Sequence, residues 1–404
     1  MAVPAWRATL TGLCASLVGI GLARFAYTPL IPALIAAGWF APSQAVYLGA
    51  ANFAGYLAGA LAARPLARLP VRHVLRGMMT LATLAFFACA TSAAFPWFFA
   101  WRFAAGLAGG VLMVLAAPSI LPFVPARRRG LASGAIFTGV GLGIALSGTL
   151  LPPLLRMGPT TAWLGLGGLS LLLTVAAWSG WPRANPVAPS GASGRPLNRA
   201  TLWIVVAAYG LNAAGLVPHM VFLVDYVARG LGRGLPAGAL CWVVFGLGAA
   251  AGPIATGALA DRIGFVVAFR LALALQAVAV AVPLMTTTMP ALLASAAVAG
   301  MFTPGIVPLT LGRIHLLALP GSDEARAGWR LATIAWALGQ AMAAYAFSFV
   351  FSSTGAYWPL FATGSAALLC GLTIDLTASR TLTPPSGSAH PWRSHRPTDG
   401  SGTR

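Results

Sequence analysis

Long apolar stretches, separated by short polar segments, run through most of the chain. A helix of about 20 residues crosses the roughly 30 Å hydrocarbon core of a membrane, and the stretches have this length or more. They lack the short alternating segments that are typical of membrane β-barrels. We predict an all-α integral membrane protein with twelve transmembrane helices at 8–36, 44–63, 77–94, 97–121, 131–152, 161–180, 201–224, 238–259, 265–285, 290–312, 330–351 and 355–377.

The polar segments between these helices differ in charge. Arginines occupy alternate connections: Arg64, Arg68, Arg72 and Arg76 after helix 2, Arg127 to Arg129 after helix 4, Arg183, Arg195 and Arg199 after helix 6, Arg326 and Arg330 before helix 11. The connections 1–2, 3–4, 9–10 and 11–12 contain none. Because basic residues are enriched in cytoplasmic loops, we expect both termini in the cytoplasm and the chain in the cell inner membrane.

The amino-acid composition also indicates a membrane protein. Hydrophobic residues make up 58% of the chain and charged residues 8%, which is too little polar surface for a soluble globular protein. The formal net charge of +19 follows from the loop arginines, so it favours contact with anionic lipid headgroups over nucleic acid. The first apolar stretch is too long for the core of a cleaved signal peptide, and helix 1 is expected to remain.

A repeated hexapeptide divides the chain into two halves. GALAAR at 59–64 returns as GALADR at 257–262. We predict a six-helix bundle over 1–180, a Pro-, Gly- and Ser-rich cytoplasmic linker over 181–200, a second bundle over 201–378 and a disordered tail over 379–404.

Several motifs resemble those of one transporter family. GALADRIG at 257–264 resembles the loop signature that the major facilitator superfamily carries after helices 2 and 8, where both copies lie here. An arginine followed by spaced glycines in helix 4 is matched by Arg102, Gly106, Gly109 and Gly110. ARFAYTPLIP, GVGLGIALSGTLLP and LVPHMVFLVDYVARGLG are similar to the YbfB/YjiJ-type branch. The resemblance covers about 5–378 and implies the major facilitator fold, with two pseudo-symmetric halves.

Arg24 is the strongest candidate for a binding residue. It lies 17 residues after Arg7 and 14 before Gly38, which places it about 20 Å or more from either end of the helix. A central arginine is costly in a membrane, so it is expected to face a cavity or a partner. A structural arginine bonded to carbonyl groups is the alternative. Tyr27 and Thr28 share its helix face and are candidate hydroxyl donors.

Arg102 is the second membrane arginine of interest. It lies only six residues inside helix 4, so its side chain has the alternative of reaching the nearby membrane surface. The family resemblance implies a role in proton coupling for an arginine at this position.

Helix 7 carries a polar stripe of Tyr209, Asn212 and His219 that is expected to face a cavity or another helix. His219 is a candidate proton carrier, because histidine titrates near neutral pH, or alternatively a neutral hydrogen-bonded residue. Asp225 follows at the periplasmic end, where it is a gate residue, a proton acceptor or simply solvated.

Other polar or small residues favour structural roles. The stripe of Gly139, Gly143 and Ser147 predicts helix packing. Gln340 predicts a hydrogen bond between helices. In helix 10, glycines and prolines indicate a hinge; these are Gly300, Pro304, Gly305 and Pro308.

Enzymatic chemistry is not supported by the residues present. The chain has no lysine, which excludes a Walker A loop and a lysine Schiff base. Its cysteines lie singly in apolar spans, and no acid, base and nucleophile converge in sequence, so neither a metal nor a cofactor is expected. Transport energy is then expected from an ion gradient.

The distribution of the acidic residues along the chain is informative. They are Asp225, Asp261, Asp323, Glu324, Asp375 and Asp399. None lies in the first half, so Arg24 and Arg102 have no carboxylate in their own bundle. Because an unpaired buried charge is costly, their partners must be carbonyls, groups of the second half or a bound anion. We expect an anionic or zwitterionic solute with a carboxylate near Arg24.

The two hexapeptides also differ in charge. Asp261 and Arg262 keep the pair that, by resemblance, helps to latch the cytoplasmic side, whereas Ala63 leaves Arg64 without that acid. We expect these three charged residues to take part in gating and the first-half latch to be altered.

The sequence therefore predicts a secondary active transporter, or permease, that moves a small organic solute by alternating access with proton coupling. A proton-driven multidrug-type exporter is one alternative, although it needs a membrane acid that the first half lacks. A non-transporting membrane receptor or scaffold is another. The expected partners of a monomer are the solute, protons and the lipid bilayer.

Overall fold

The computed structural model describes residues 4–125, 129–182, 199–318 and 323–381, and these ranges contain helices without any β-strand. We number the helices α1 (Ala5–Ala36), α2 (Pro42–Leu66), α3 (Val71–Ala88), α4 (Phe95–Ile120), α5 (Arg129–Leu155), α6 (Pro159–Ala177), α7 (Arg199–Gly230), α8 (Gly234–Ile263), α9 (Phe265–Met285), α10 (Met289–Leu317), α11 (Asp323–Thr354) and α12 (Trp358–Thr381). Most of the predicted linker, 183–198, and of the predicted tail, 382–404, lies outside the described residues.

Eleven helices in the described ranges are long and apolar enough to cross a membrane. The helix outside this set is α3, which begins six residues before the predicted span at 77 and takes in Arg72, His73 and Arg76. The described residues are therefore helical, as the sequence predicts, with helices of the length and apolarity of membrane spans, and the count of twelve spans stays a prediction.

Helices α1 and α7 both contain irregular turns. Leu17–Leu22 and Pro218–Phe222 are wound as π-helix, so the Ala23 amide donates to the Val18 carbonyl, five residues back, at 3.0 Å. Such a bulge leaves backbone groups without their usual helical partners, and side chains then satisfy them. The carbonyls of Ala23 and Met220 both accept side-chain hydrogen bonds.

Glycines allow the closest helix contacts. An ideal Cβ on Gly106 of α4 would lie 2.0 Å from the Asn52 carbonyl oxygen of α2, and one on Gly300 of α10 would lie 2.0 Å from the Phe245 oxygen of α8. Only glycine permits these backbones to approach so closely.

The predicted packing role of the α5 stripe is confirmed. An ideal Cβ on Gly139 would lie 2.3 Å from the Leu13 oxygen, and one on Gly143 would lie 2.6 Å from the Gly21 Cα, both on α1. Ser147 accepts a hydrogen bond from the Trp242 indole of α8 at 3.2 Å. Helix α10 continues as a helix through Pro304 and Pro308, and its role as a hinge stays a prediction.

Candidate functional site

A cavity of about 400 Å³ lies between α1, α2, α4, α5, α7, α10 and α11. Its charged lining consists of Arg24, Arg64 and Arg330, and none of its described lining residues is Asp or Glu. Arg64 lies near the end of α2 and Arg330 near the start of α11. Arg24 lies between the π-helical turn Leu17–Leu22 and Tyr27, where the regular α-helix of α1 resumes; we call this interval the break in α1. The remaining lining is mostly apolar and aromatic, so three positive charges dominate the electrostatics of the cavity.

Arg24 is buried, with 5% of its surface exposed. Its Nη2 donates to the Gln340 Oε1 of α11, which confirms the interhelical hydrogen bond predicted for Gln340. Its Cζ lies 4.3 Å from the Phe53 ring centroid and 4.7 Å from that of Tyr56. The Nε has no hydrogen-bond partner among the described residues. The second half thus supplies Arg24 with a neutral amide rather than with a carboxylate, and its charge is not neutralised.

Arg102 does not reach the membrane surface, because only 2% of it is exposed. Its Nη1 donates to the Ala23 carbonyl at 2.8 Å, and its Cζ lies 4.3 Å from the Tyr27 ring centroid. Asn52 donates to the same carbonyl at 3.3 Å and to the Arg102 carbonyl at 3.1 Å. Arg102 and Asn52 therefore satisfy the backbone at the break that positions Arg24.

Two hydroxyls beside Arg24 hold helices together. Tyr27 donates from its hydroxyl to the Ala45 carbonyl of α2 at 2.8 Å. Thr28 donates to the Met220 carbonyl of α7, and Gln340 donates to the Met220 sulfur at 3.1 Å. These contacts tie α1 to α2 and α7, and α7 to α11, beside Arg24.

The polar stripe of α7 does not face the cavity as a unit. Tyr209 lines it, whereas Asn212 donates to the Gln276 Oε1 of α9 at 2.8 Å. His219 is fully buried, and its Nε2 lies 2.7 Å from the Ser295 Oγ of α10. The structure thus brings Tyr209 together with Arg24 in one cavity, while Asn212 and His219 contact the neighbouring helices.

Asp225 is also fully buried, so the solvated alternative does not apply. It forms a salt bridge with Arg229, whose Nη2 lies 2.6 Å from the Asp225 Oδ2. The Tyr357 hydroxyl, just before α12, donates to the same oxygen at 2.7 Å. Burial and the adjacent carboxylate raise the pKa of the Tyr357 hydroxyl, so it remains a donor at physiological pH.

The predicted gating residues lie in two places. Arg64 lines the cavity beside the buried Ala63. Asp261 and Arg262 are exposed near the end of α8, and neither side chain has a hydrogen-bond or ion-pair partner within the described ranges.

Sequence reasoning missed two groups of residues. Trp329 and Trp336 lie seven residues apart on α11, on the helix face that also carries Gln340, and this spacing was a usable signal. The buried Asp375 of α12 pairs with Arg270 at 2.7 Å and with Arg313. This second group joins residues far apart in sequence, and no local pattern indicates it.

An all-helical membrane chain with an internal, arginine-containing cavity has the features of a membrane transporter. The family model described as "Uncharacterised MFS-type transporter YbfB" matches residues 16–376, and the chain belongs to this family of the major facilitator superfamily. The resemblance stated from the motifs is therefore confirmed. Comparison with curated proteins finds no significant match.

Proposed function

We propose that the protein is a secondary active transporter that moves a small organic anion across the cell inner membrane by alternating access. The observation that carries this proposal is the cavity with Arg24, Arg64 and Arg330 and without a lining carboxylate among the described residues. A buried cation without a counter-charge is costly, and a bound anion relieves that cost. A volume of about 400 Å³ suits a small molecule.

Alternating access requires two bundles that move against each other, and we propose the boundaries 1–180 and 201–378 for them. Equivalent helices make equivalent contacts: α2 packs on α4 as α8 packs on α10, and α1 on α5 as α7 on α11. Contacts of α2 with α11 and of α5 with α8 join the proposed bundles. With the termini in the cytoplasm, as we propose, the cavity extends from Arg24 toward the cytoplasmic side.

Replacing the buried cation tests the proposed site. Arg24→Gln removes the charge, and we expect carboxylate affinity to fall at least about tenfold, since a hydrogen bond to a charged group contributes about 1.5 to 3 kcal/mol. The measurements are thermal stabilisation of the purified chain by a carboxylate panel and uptake into proteoliposomes.

Arg68→Gln is the matched control, because Arg68 is exposed and does not line the cavity. Carboxylate affinity and uptake that are the same in Arg24→Gln as in the wild type would contradict the proposal.

We further propose that transport is coupled to protons through ionisable groups of the second half. His219 and Asp225 are fully buried on α7, and the His219 Nδ1 has no hydrogen-bond partner among the described residues. We expect an imposed pH gradient to drive uptake in the wild type and to drive it less in His219→Ala or Asp225→Asn. Uptake that does not respond to the pH gradient in the wild type or in either variant would argue against proton coupling.

The rival functions make different predictions. A multidrug-type exporter of cations needs an acidic group at its site, and the described cavity lining offers arginines instead. A receptor or scaffold would bind the solute without moving it, so flux in proteoliposomes separates it from a transporter.

A further inference from the structure

Four aromatic side chains form a continuous face of the cavity, which we call the aromatic wall: Tyr56, Trp336, Tyr209 and Trp329. The ring centroids of Tyr56 and Trp336 lie 6.0 Å apart, and those of Trp336 and Tyr209 lie 6.1 Å apart with the rings nearly parallel at 29°. Trp329 follows at 6.4 Å from Tyr209. The wall therefore joins α2, α11 and α7 across the proposed boundary between the two bundles.

Arg24 lies at one end of this wall. Its Cζ is 4.7 Å from the Tyr56 ring centroid and 5.3 Å from that of Trp336. Two buried donors at this end, the Arg24 Nε and the Trp336 indole Nε1, have no acceptor among the described residues. Buried donors are normally satisfied, and both of these residues line the cavity, so an acceptor that a ligand brings has two donors to bind.

We propose that the solute is an aromatic carboxylate, with its carboxylate on Arg24 and its ring against the aromatic wall. This inference rests on the proposed function and names the class of anion. The carboxylate accepts from the Arg24 Nε, with the Trp336 indole as a second donor, and it neutralises the guanidinium. The ring extends along Trp336 and Tyr209, where stacked or edge-on aromatic contacts add to the burial of apolar surface.

An aromatic cation is the natural competitor, because aromatic cages also bind cations. Here Arg24 itself already occupies that position among the rings of Phe53, Tyr56 and Trp336. A second cation would meet its repulsion and that of Arg64 and Arg330 along the same cavity. The positive charges of the arginines therefore favour an anion over a cation, and the aromatic wall favours an anion that carries an aromatic ring.

Four matched probes test the class with the purified full-length chain: phenylacetate, cyclohexylacetate, 2-phenylacetamide and phenethylamine. Burial of apolar surface alone favours the saturated ring at least as much as the aromatic one. We expect phenylacetate to bind at least about threefold more tightly than cyclohexylacetate, as aromatic contacts of the usual strength imply. We expect the neutral amide and the amine to bind at least about tenfold more weakly, because neither offers a charged acceptor to Arg24.

Variants of the wall give an independent test. Trp336→Leu is expected to abolish the preference for the aromatic ring, whereas Trp336→Phe retains it and weakens both carboxylates together. Trp203→Leu is the control, since Trp203 is 58% exposed on α7 and lies outside the cavity lining. Arg24→Gln should weaken both carboxylates equally and leave the amide unchanged.

Two results separate this inference from the proposed function. If cyclohexylacetate binds the wild type as tightly as phenylacetate, the aromatic class is overturned while the anion site stands. If the expected preference is found but phenylacetate is not carried into proteoliposomes, the ligand class is supported and the transport function is overturned.

Discussion

At the scale of single residues, Arg24 illustrates how a charge is tolerated inside a membrane protein without an ion pair. Its guanidinium has one neutral acceptor, the Gln340 amide, and four aromatic rings within 5.3 Å of its Cζ. These contacts stabilise the cation without removing its charge, so its attraction for an anion is retained. A carboxylate that binds the Arg24 Nε therefore competes with Gln340 for the same guanidinium, whose Nη2 donates to the Gln340 amide oxygen.

Exchanging that amide for an acid tests the competition. Gln340→Glu places a carboxylate on Arg24, and we expect carboxylate affinity to fall at least about tenfold because the site carries its own counter-charge. The melting temperature should not fall, since the new charge is paired. Affinity is measured by ligand-dependent thermal stabilisation.

Gln276→Glu is the matched comparison, because Gln276 is also fully buried but bonds to Asn212 and a carbonyl. Neither partner of Gln276 among the described residues is an arginine, so the new carboxylate is not paired and the melting temperature should fall. Unchanged carboxylate affinity in Gln340→Glu would show that Arg24 does not hold the anion.

At the scale of the helices, irregular turns and close glycine contacts shape the site. Beside the irregular turns of α1, the Ala23 carbonyl accepts hydrogen bonds from the side chains of Arg102 and Asn52. This network holds Arg24 in the cavity wall. Glycines then allow α2 to lie directly against α4, which carries Arg102. The arginine-glycine motif of α4 thus supports the site through packing and backbone satisfaction, in addition to any role in coupling.

A methyl group at this contact should separate the helices. Gly106→Ala places a Cβ 2.0 Å from the Asn52 oxygen, closer than atoms can approach, so the backbones must move apart. We expect a loss of stability of about 1 to 3 kcal/mol, as overpacking usually causes, and weaker carboxylate binding.

Gly168→Ala in α6 is the control, because its Cβ meets nothing within 4 Å. Circular-dichroism melting of both proteins gives the comparison. Equal melting temperatures for the two variants would mean that the α2–α4 contact adapts without cost.

At the scale of the whole molecule, charge is distributed unequally along the chain. The first half has no acidic residue, whereas the second half holds the buried pairs of Asp225 and Asp375. Ala63, where the second repeat has Asp261, is buried and lines the cavity beside Arg64. Because Asp is absent at this position, the proposed anion site has no carboxylate here, and neither does the predicted latch.

Restoring the acid should disturb the transport cycle. Ala63→Asp places a negative charge beside Arg64, and we expect slower exchange of the solute across proteoliposome membranes together with weaker carboxylate binding. Ala63→Asn, which adds similar bulk without charge, separates electrostatics from size. Exchange that is equally slow in both variants would assign the effect to packing.

The chain by itself determined the helical membrane architecture and the family, because these follow from composition, long apolar runs and short motifs, and it predicted Arg24 as a binding residue. It also showed that the first half offers its arginines no carboxylate. None of these conclusions depends on how one helix is rotated against another.

Only the tertiary structure decided which polar groups meet. Arg24 and Gln340 are 316 residues apart, and the aromatic wall draws its rings from three helices. Asn212 and His219 share a predicted stripe with Tyr209, yet they bond to α9 and α10. Such pairings depend on helix rotation and on irregular turns, and a single sequence carries no direct signal of either.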